Sequence, residues 1–136
     1  MLESLFDGED ERDEIFKLCD VVRETAYSIH KYLRHGHLES VYEKALAHRL
    51  TKSGHLVQQQ IPLPVYDEDG TELGTFYADL FVNDCLVLEI KACRALVDEH
   101  FAQLLGYLRS SGIEHGLLIN FGRERFQIKK LVLSNQ

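Results

Sequence analysis

At 136 residues, with 45% hydrophobic and 27% charged side chains, the chain has the composition of one globular domain with its own core, which excludes a disordered or fibrous protein. No apolar run approaches the ~18 residues of a membrane span, and the start "MLESLFDGED" lacks the basic opening of a secretory signal. The net charge of −7 argues against a broad nucleic-acid-binding surface, but it is unevenly spread: residues 1–14 carry seven acids and one base, leaving 15 acids against 14 bases in the rest.

That division predicts an acidic, mobile N-terminal segment over residues 1–12 and a single domain over 13–136. From Asp13 to about Tyr32, apolar residues at Ile15, Leu18, Cys19, Val22, Ala26, Ile29 and Leu33 recur at helical spacing. "RHGH" breaks this helix. A second helix follows, with Leu38, Val41, Tyr42, Ala45, Leu46 and Leu50 as its apolar stripe and Gly54 as its stop. The period then changes. Val57, Ile61, Leu63 and Val65 alternate with glutamines and two prolines, the pattern of an edge strand. "DEDG" reads as a turn, and Leu73–Val82 and Cys85–Ala92 read as two strands joined at "ND". Glu99 to Ser111 returns to helix, "HGLLINF" reads as a short buried strand, and "RFQIKKLVL" as a last strand. The order helix, helix, three strands, helix, two strands implies a mixed α+β fold, a central sheet of about five strands flanked by helices.

Several polar residues interrupt these apolar patterns. Asp79 lies inside "YADLFV", and Glu89 and Lys91 end the strand "LVLEIKA". Strand side chains alternate faces, so Glu89 and Lys91 point the same way while Leu88 and Ile90 point the other. Glu39 opens the second helix, where a helix dipole alone would account for an acid. Gln103 and Tyr107 are four apart on the third helix and share one of its faces. Taken singly, each has an ordinary structural explanation: a turn, a strand-end ion pair, a wet helix face. Two carboxylates on adjacent strands, however, form a hard-oxygen site of the kind Mg²⁺ or Mn²⁺ prefers, with a lysine alongside to balance charge.

That site constrains the register. A two-residue turn at Asn83–Asp84 would set Asp79 opposite Leu88 and place the two acids on opposite faces. A shared site needs Asp79 opposite Glu89, which predicts an odd-length loop such as Asn83-Asp84-Cys85, or a compensating bulge. The same register puts Ala78, Leu80 and Val82 on one face with Leu86, Leu88 and Ile90.

The ordered set of residues resembles a known superfamily. Asp79 followed by Glu89-Ile90-Lys91 resembles the D…(D/E)xK signature of the PD-(D/E)xK nucleases, although Ala78 stands where the name has proline. "QLLGY", Gln103 to Tyr107, is similar to the QxxxY helix motif of RecB-type exonucleases. "GHLESVY", with Gly36, Glu39 and Tyr42, matches the motif that names the GxxExxY family, a branch of that superfamily. The resemblance implies a restriction-endonuclease-like core and metal-dependent hydrolysis of phosphodiester bonds in nucleic acid, DNA or RNA. It implies Asp79, Glu89 and the Ile90 carbonyl as ligands of Mg²⁺ or Mn²⁺, and Lys91 as catalytic base or charge stabiliser. Glu39 would be a further catalytic acid, with Gln103, Tyr107 and Tyr42 near the substrate.

Some relatives of this type carry a cysteine-ligated iron–sulfur cluster. Cys19, Cys85 and Cys93 do not supply its four ligands, so none is expected, and three cysteines without CxxC spacing suit a reducing, cytoplasmic setting. Two other functions compete with the nuclease. One is a binding module that keeps the fold and uses its cleft for nucleic acid or a protein partner. The other is a homo-oligomer in which the acids form an interaction surface.

Overall fold

A computed structural model describes residues 2–133, with side chains from residue 12 onward. Its elements are α1 (Leu2–Leu33), α2 (Glu39–Lys52), β1 (Val57–Tyr66), β2 (Glu72–Val82), β3 (Leu86–Lys91), α3 (Asp98–Ser111), β4 (His115–Asn120) and β5 (Gln127–Val132). The acidic, mobile segment expected over residues 1–12 lies, apart from Arg12, outside the residues whose side chains are described. α1 itself starts well before the apolar stripe that marks it in the sequence.

The five strands lie in one sheet in chain order, with β1 at one edge. Pro62 and Pro64 are thereby accommodated, since an edge strand has a side that needs no ladder donor. β3 and β4 run parallel, and the other neighbours are antiparallel. α3 makes the crossover between β3 and β4, so the parallel pair has its carboxyl ends at Lys91 and Asn120.

α1 and α2 cover one face of the sheet. Ile15, Leu18, Cys19, Val22, Ala26 and Ile29 of α1 are buried against Leu80, Val82, Leu86, Leu88, Ile90, Leu117, Ile119 and Phe121. α2 contributes Tyr42, Leu46, Ala47 and Leu50. Its buried line is therefore narrower than the sequence stripe: Leu38 is 75% exposed and Val41 37%. Leu38 is the N-cap, outside the helix proper, and Val41 sits about 100° around the axis from Tyr42. α3 covers the other face, packing Leu104 and Leu108 onto Ala78, Val87, Leu118 and Leu131.

The β2–β3 connection has the odd length that a shared acid site requires. Val82 opposes Leu86 and Leu80 opposes Leu88, leaving Asn83, Asp84 and Cys85 as the loop. Asn83 and Asp84 both take left-handed backbone conformations (φ 51° and 55°), which these two residue types tolerate. The side chain of Asn83 accepts the Leu56 amide at 2.9 Å, tying this loop to the entry of β1. One residue departs from the expected pattern. Ala78 packs with the α3 cluster, not with Leu80 and Val82, so β2 changes face at Asp79.

Candidate active site

Ladder pairing between β2 and β3 ends at Leu80–Leu88. Beyond that pair, two carboxylates take over the role of backbone carbonyls. Glu89 Oε1 accepts the Asp79 amide at 3.1 Å, and Asp79 Oδ2 accepts the Ile90 amide at 2.8 Å. The strands thus fork at the two acids. Each acid satisfies an amide of the opposite strand that would otherwise lack a partner.

The register brings together Asp79, Glu89 and Lys91, three of the residues singled out in the sequence. Glu89 is 7% exposed, and Lys91, on the same strand face, is half-buried. Burial pushes the Glu89 carboxyl up to about 8, and the Asp79 carboxylate adds to the rise. The Asp79 amide and the Lys91 ammonium oppose that shift without cancelling it. Among the described residues, the ion pairs within 4 Å are Arg23–Asp20 and His115–Glu114, so Lys91 is committed to neither acid.

A third acid joins from α2, and it is one the sequence reading passed over. Glu43 Oε1 accepts from Gln60 Nε2 at 2.9 Å, and the same nitrogen reaches Asp79 Oδ1 at 3.3 Å. Gln59 Nε2 approaches Glu43 Oε2 at 3.4 Å. Gln60 stands in a left-handed conformation (φ 52°), between Gln59 and Ile61, which oppose Leu80 and Ala78. β1 is therefore kinked beside the point where β2 changes face, and the kink turns an amide toward the acids. Burial raises the Glu43 proton affinity; the Gln60 bond opposes this and the Asp79 charge adds to it. Three consecutive glutamines, Gln58 to Gln60, within an otherwise alternating strand were the sequence signal for this contact.

Among the described residues, none of the other expected side chains hydrogen-bonds to either Asp79 or Glu89. Glu39 is exposed in the first turn of α2, one turn from Glu43 on the same helix face. Gln103 is exposed on α3, while Tyr107 is half-buried and stacks nearly parallel on Phe76 of β2. The Ile90 side chain is core, 1% exposed. Tyr42 corrects the expectation of a substrate contact, because its side chain has no exposed surface. Its ring stacks on Phe121 at 4.6 Å, and its hydroxyl donates to the Arg34 carbonyl and accepts the His37 amide at 3.2 Å. Gly36, between those two residues, has φ 115°, a conformation that L side chains rarely adopt. The Gly and Tyr of "GHLESVY" therefore build the α1–α2 turn.

Asn120 is a further residue that the sequence reading missed. Fully buried at the end of β4, it accepts the amides of Cys93 (3.1 Å) and Gly122 (3.0 Å) and donates to Cys93 O and Gln127 Oε1 (both 3.0 Å). The segment leaving Lys91 is thereby fastened to the turn between β4 and β5. Gly122 permits this approach: a Cβ there would lie 2.1 Å from the Cys93 nitrogen.

Among the described residues, no three His, Cys, Asp or Glu side chains are drawn together as a ready-made metal cage. The donors at the fork are nonetheless carboxylate oxygens, which suit a hard cation such as Mg²⁺ or Mn²⁺ over a soft one. A dication among them would offset the crowding of negative charge that contributes to the raised proton affinity of Glu89 and Glu43. The residues present fit such an ion.

No curated protein matches the chain. A solved structure titled "Crystal structure of SSO0001" is similar in fold, with a TM-score of 0.56 at 18% identity over 71% of this chain. The match covers 50% of that protein's chain, so the present chain spans about half its length. A family profile described as the PD-(D/E)XK nuclease superfamily matches residues 17–131. With that profile spanning the helices, the fork and the sheet alike, the chain belongs to the PD-(D/E)XK nuclease superfamily.

Proposed function

We propose that the protein hydrolyses phosphodiester bonds in nucleic acid with a divalent cation held at the fork of β2 and β3. The observation that carries this reading is the mutual bridging of Asp79 and Glu89, with Lys91 two residues on along the face of Glu89. Nucleases of the superfamily generally use divalent metals such as Mg²⁺. When bound, such an ion polarises a phosphoryl oxygen and lowers the pKa of a coordinated water.

Asp79 and Glu89 would hold the cation, with the Ile90 carbonyl as a further oxygen donor and Glu43 as the third acid nearby. The backbone amides that Asp79 and Glu89 accept fix both carboxylates in place, so little side-chain freedom is lost on binding. Lys91, free of an ion pair among the described residues, presents its ammonium to the attacking water or to charge developing on the phosphoryl group. Gln103 and Tyr107 form the α3 side of the substrate path, and the Tyr107–Phe76 stack steadies β2 three residues before Asp79. The match of "GHLESVY" to the GxxExxY motif supports our assigning the chain to that branch of the superfamily.

The test is cleavage of supercoiled plasmid, linear duplex, single-stranded DNA and RNA with Mg²⁺ or Mn²⁺. Lys91→Ala should keep metal binding, since lysine is no ligand, and slow cleavage by roughly 10²–10⁴. Asp79→Ala and Glu89→Ala should lose both. A folded wild-type protein that binds either metal and cuts none of the four substrates would overturn the proposal.

A further inference from the structure

An open cleft of about 1040 Å³ lies apart from the acids of the fork, none of which lines it. It opens where the last turns of α1, the segment after β3 and the turn between β4 and β5 come together. Five cations line it: Lys31, Arg34, Arg94, Arg123 and Arg125, against the single acid Glu124. None of the five belongs to an ion pair among the described residues. Lys31 and Arg34 alone would be explained by the carbonyls at the C-terminus of α1. Arg94, Arg123 and Arg125 come from other segments and need another reason, because gathered like charges repel. The chain as a whole is acidic, so the cluster runs against its composition.

We infer that this cleft is the docking track for an unpaired polynucleotide strand. Its floor is aromatic. Tyr27, half exposed, meets Phe126 edge-on at 5.9 Å, and the Lys31 ammonium lies 5.6 Å above the Tyr27 ring. His30, buried, is hydrogen-bonded through Nε2 to the Arg123 carbonyl at 2.8 Å, which holds the arginine-bearing turn against α1. An exposed ring among cations is the combination that binds single strands: bases stack on the ring while phosphates pair with the charges. A duplex hides its base faces and would leave the ring unused.

Position links the cleft to the fork. Lys91 and Arg94 lie three residues apart on the segment leaving β3, and Arg123 lies three residues beyond the end of β4. Both features thus sit at the carboxyl ends of the parallel strands, where open α/β sheets place their ligands. That the strand continues from the cleft to the fork rests on the proposed nuclease function; binding in the cleft does not.

The experiment is fluorescence anisotropy with a labelled 20-nucleotide strand, as DNA and as RNA, and with its duplex, in EDTA so that nothing is cut. The wild type should prefer the single strand. Replacing Arg94, Arg123 and Arg125 together by alanine should flatten the log affinity against log salt slope by about 2, at roughly 0.7 per lost phosphate contact. Replacing the same three by lysine should restore that slope, which excludes misfolding as the cause. Tyr27→Ala should weaken single-strand binding about tenfold with the slope unchanged. Equal binding by the triple alanine variant, or a wild-type preference for duplex, would overturn the inference. The nuclease reading is separately exposed: strand binding lost on these substitutions, but no cleavage by the wild type with Mg²⁺ or Mn²⁺, would sink the proposed function and leave the cleft standing.

Discussion

Asp79 and Glu89 hold each other's strands: the amide of Asp79 donates to the Glu89 carboxylate, and the Asp79 carboxylate accepts the amide of Ile90, the next residue after Glu89. This places a buried carboxyl directly beside a second acid, and it makes folding pH-dependent. Free of a cation, the folded protein retains the Glu89 proton up to about pH 8, whereas an unshifted glutamate releases it near 4.5. The stability contributed by that proton is complete below about 4.5 and disappears as pH rises through 8. Glu89→Gln should therefore be more stable than wild type at pH 9, by a few kcal/mol, with the advantage shrinking toward pH 5. Urea unfolding in EDTA at both pH values checks this; an advantage independent of pH would refute it.

The same linkage gives metal binding a proton signature. A cation must displace the Glu89 proton, so Mn²⁺ binding at pH 7 should release close to one proton, and less at pH 9. Titration calorimetry in two buffers of different ionisation enthalpy measures the count. Binding without proton release at pH 7 would move the ion away from Glu89.

Glu43 and Glu39 can be separated by substitution. Glu43 reaches Gln59 and Gln60 and shares the field of Asp79, whereas Glu39 is exposed at the start of α2. Glu43→Gln should weaken Mn²⁺ binding and cleavage. Glu39→Gln should cost only the dipole contribution, about 0.3–1 kcal/mol of stability, and leave metal affinity alone. The reverse outcome in calorimetry would restore the acid of the GxxExxY motif to the site.

The contrast between those two glutamates shows where sequence reasoning reaches and where it stops. The register of β2 and β3 could be read because side-chain alternation has a period of two, and the apolar residues on both strands demanded one parity. The edge position of β1 followed from Pro62 and Pro64 in the same way. Which of two acids, one helical turn apart, leans on the sheet depends on how α2 is rotated. The exposed Leu38 and Val41 show that the apolar stripe left that rotation open by a residue. The left-handed kink at Gln60 and the change of face at Asp79 are tertiary accommodations with no local signature beyond the misplaced glutamines. The basic cleft draws its cations from three separate segments, so it exists only once the fold brings them together.

Tyr42 offers a test between structure and substrate. Its hydroxyl serves the Arg34 carbonyl and the His37 amide, and its ring is wholly buried. Tyr42→Phe should lower stability by ~1–3 kcal/mol, the cost of leaving those backbone groups unmatched, while the KM of the proposed cleavage stays the same. A raised KM with unchanged melting temperature would mean that the hydroxyl touches substrate after all.

Asn120 is the strongest case for a residue that acts through others. All four of its hydrogen-bonding positions are used, and both Cys93 backbone groups depend on it, so it sets where the chain goes after Lys91. In Asn120→Asp the two acceptor bonds can persist, but the two donor bonds are lost, and a carboxylate oxygen faces the Cys93 carbonyl in a site without solvent exposure. The buried charge should cost ~3–5 kcal/mol at pH 8. Burial would raise the new acid's pKa, so stability should recover on acidification, when the protonated form can donate once more. Asn120→Asp should also weaken strand binding and slow cleavage, because the Lys91–Arg94 segment loses its anchor. Mn²⁺ affinity should change little, since the Asp79 and Glu89 carboxylates are fixed by their own strands. Thermal melts across pH, calorimetry and strand anisotropy on the one variant resolve these effects. A variant that melts lower but binds and cuts as the wild type does would reduce Asn120 to a structural role and free Lys91 from dependence on it.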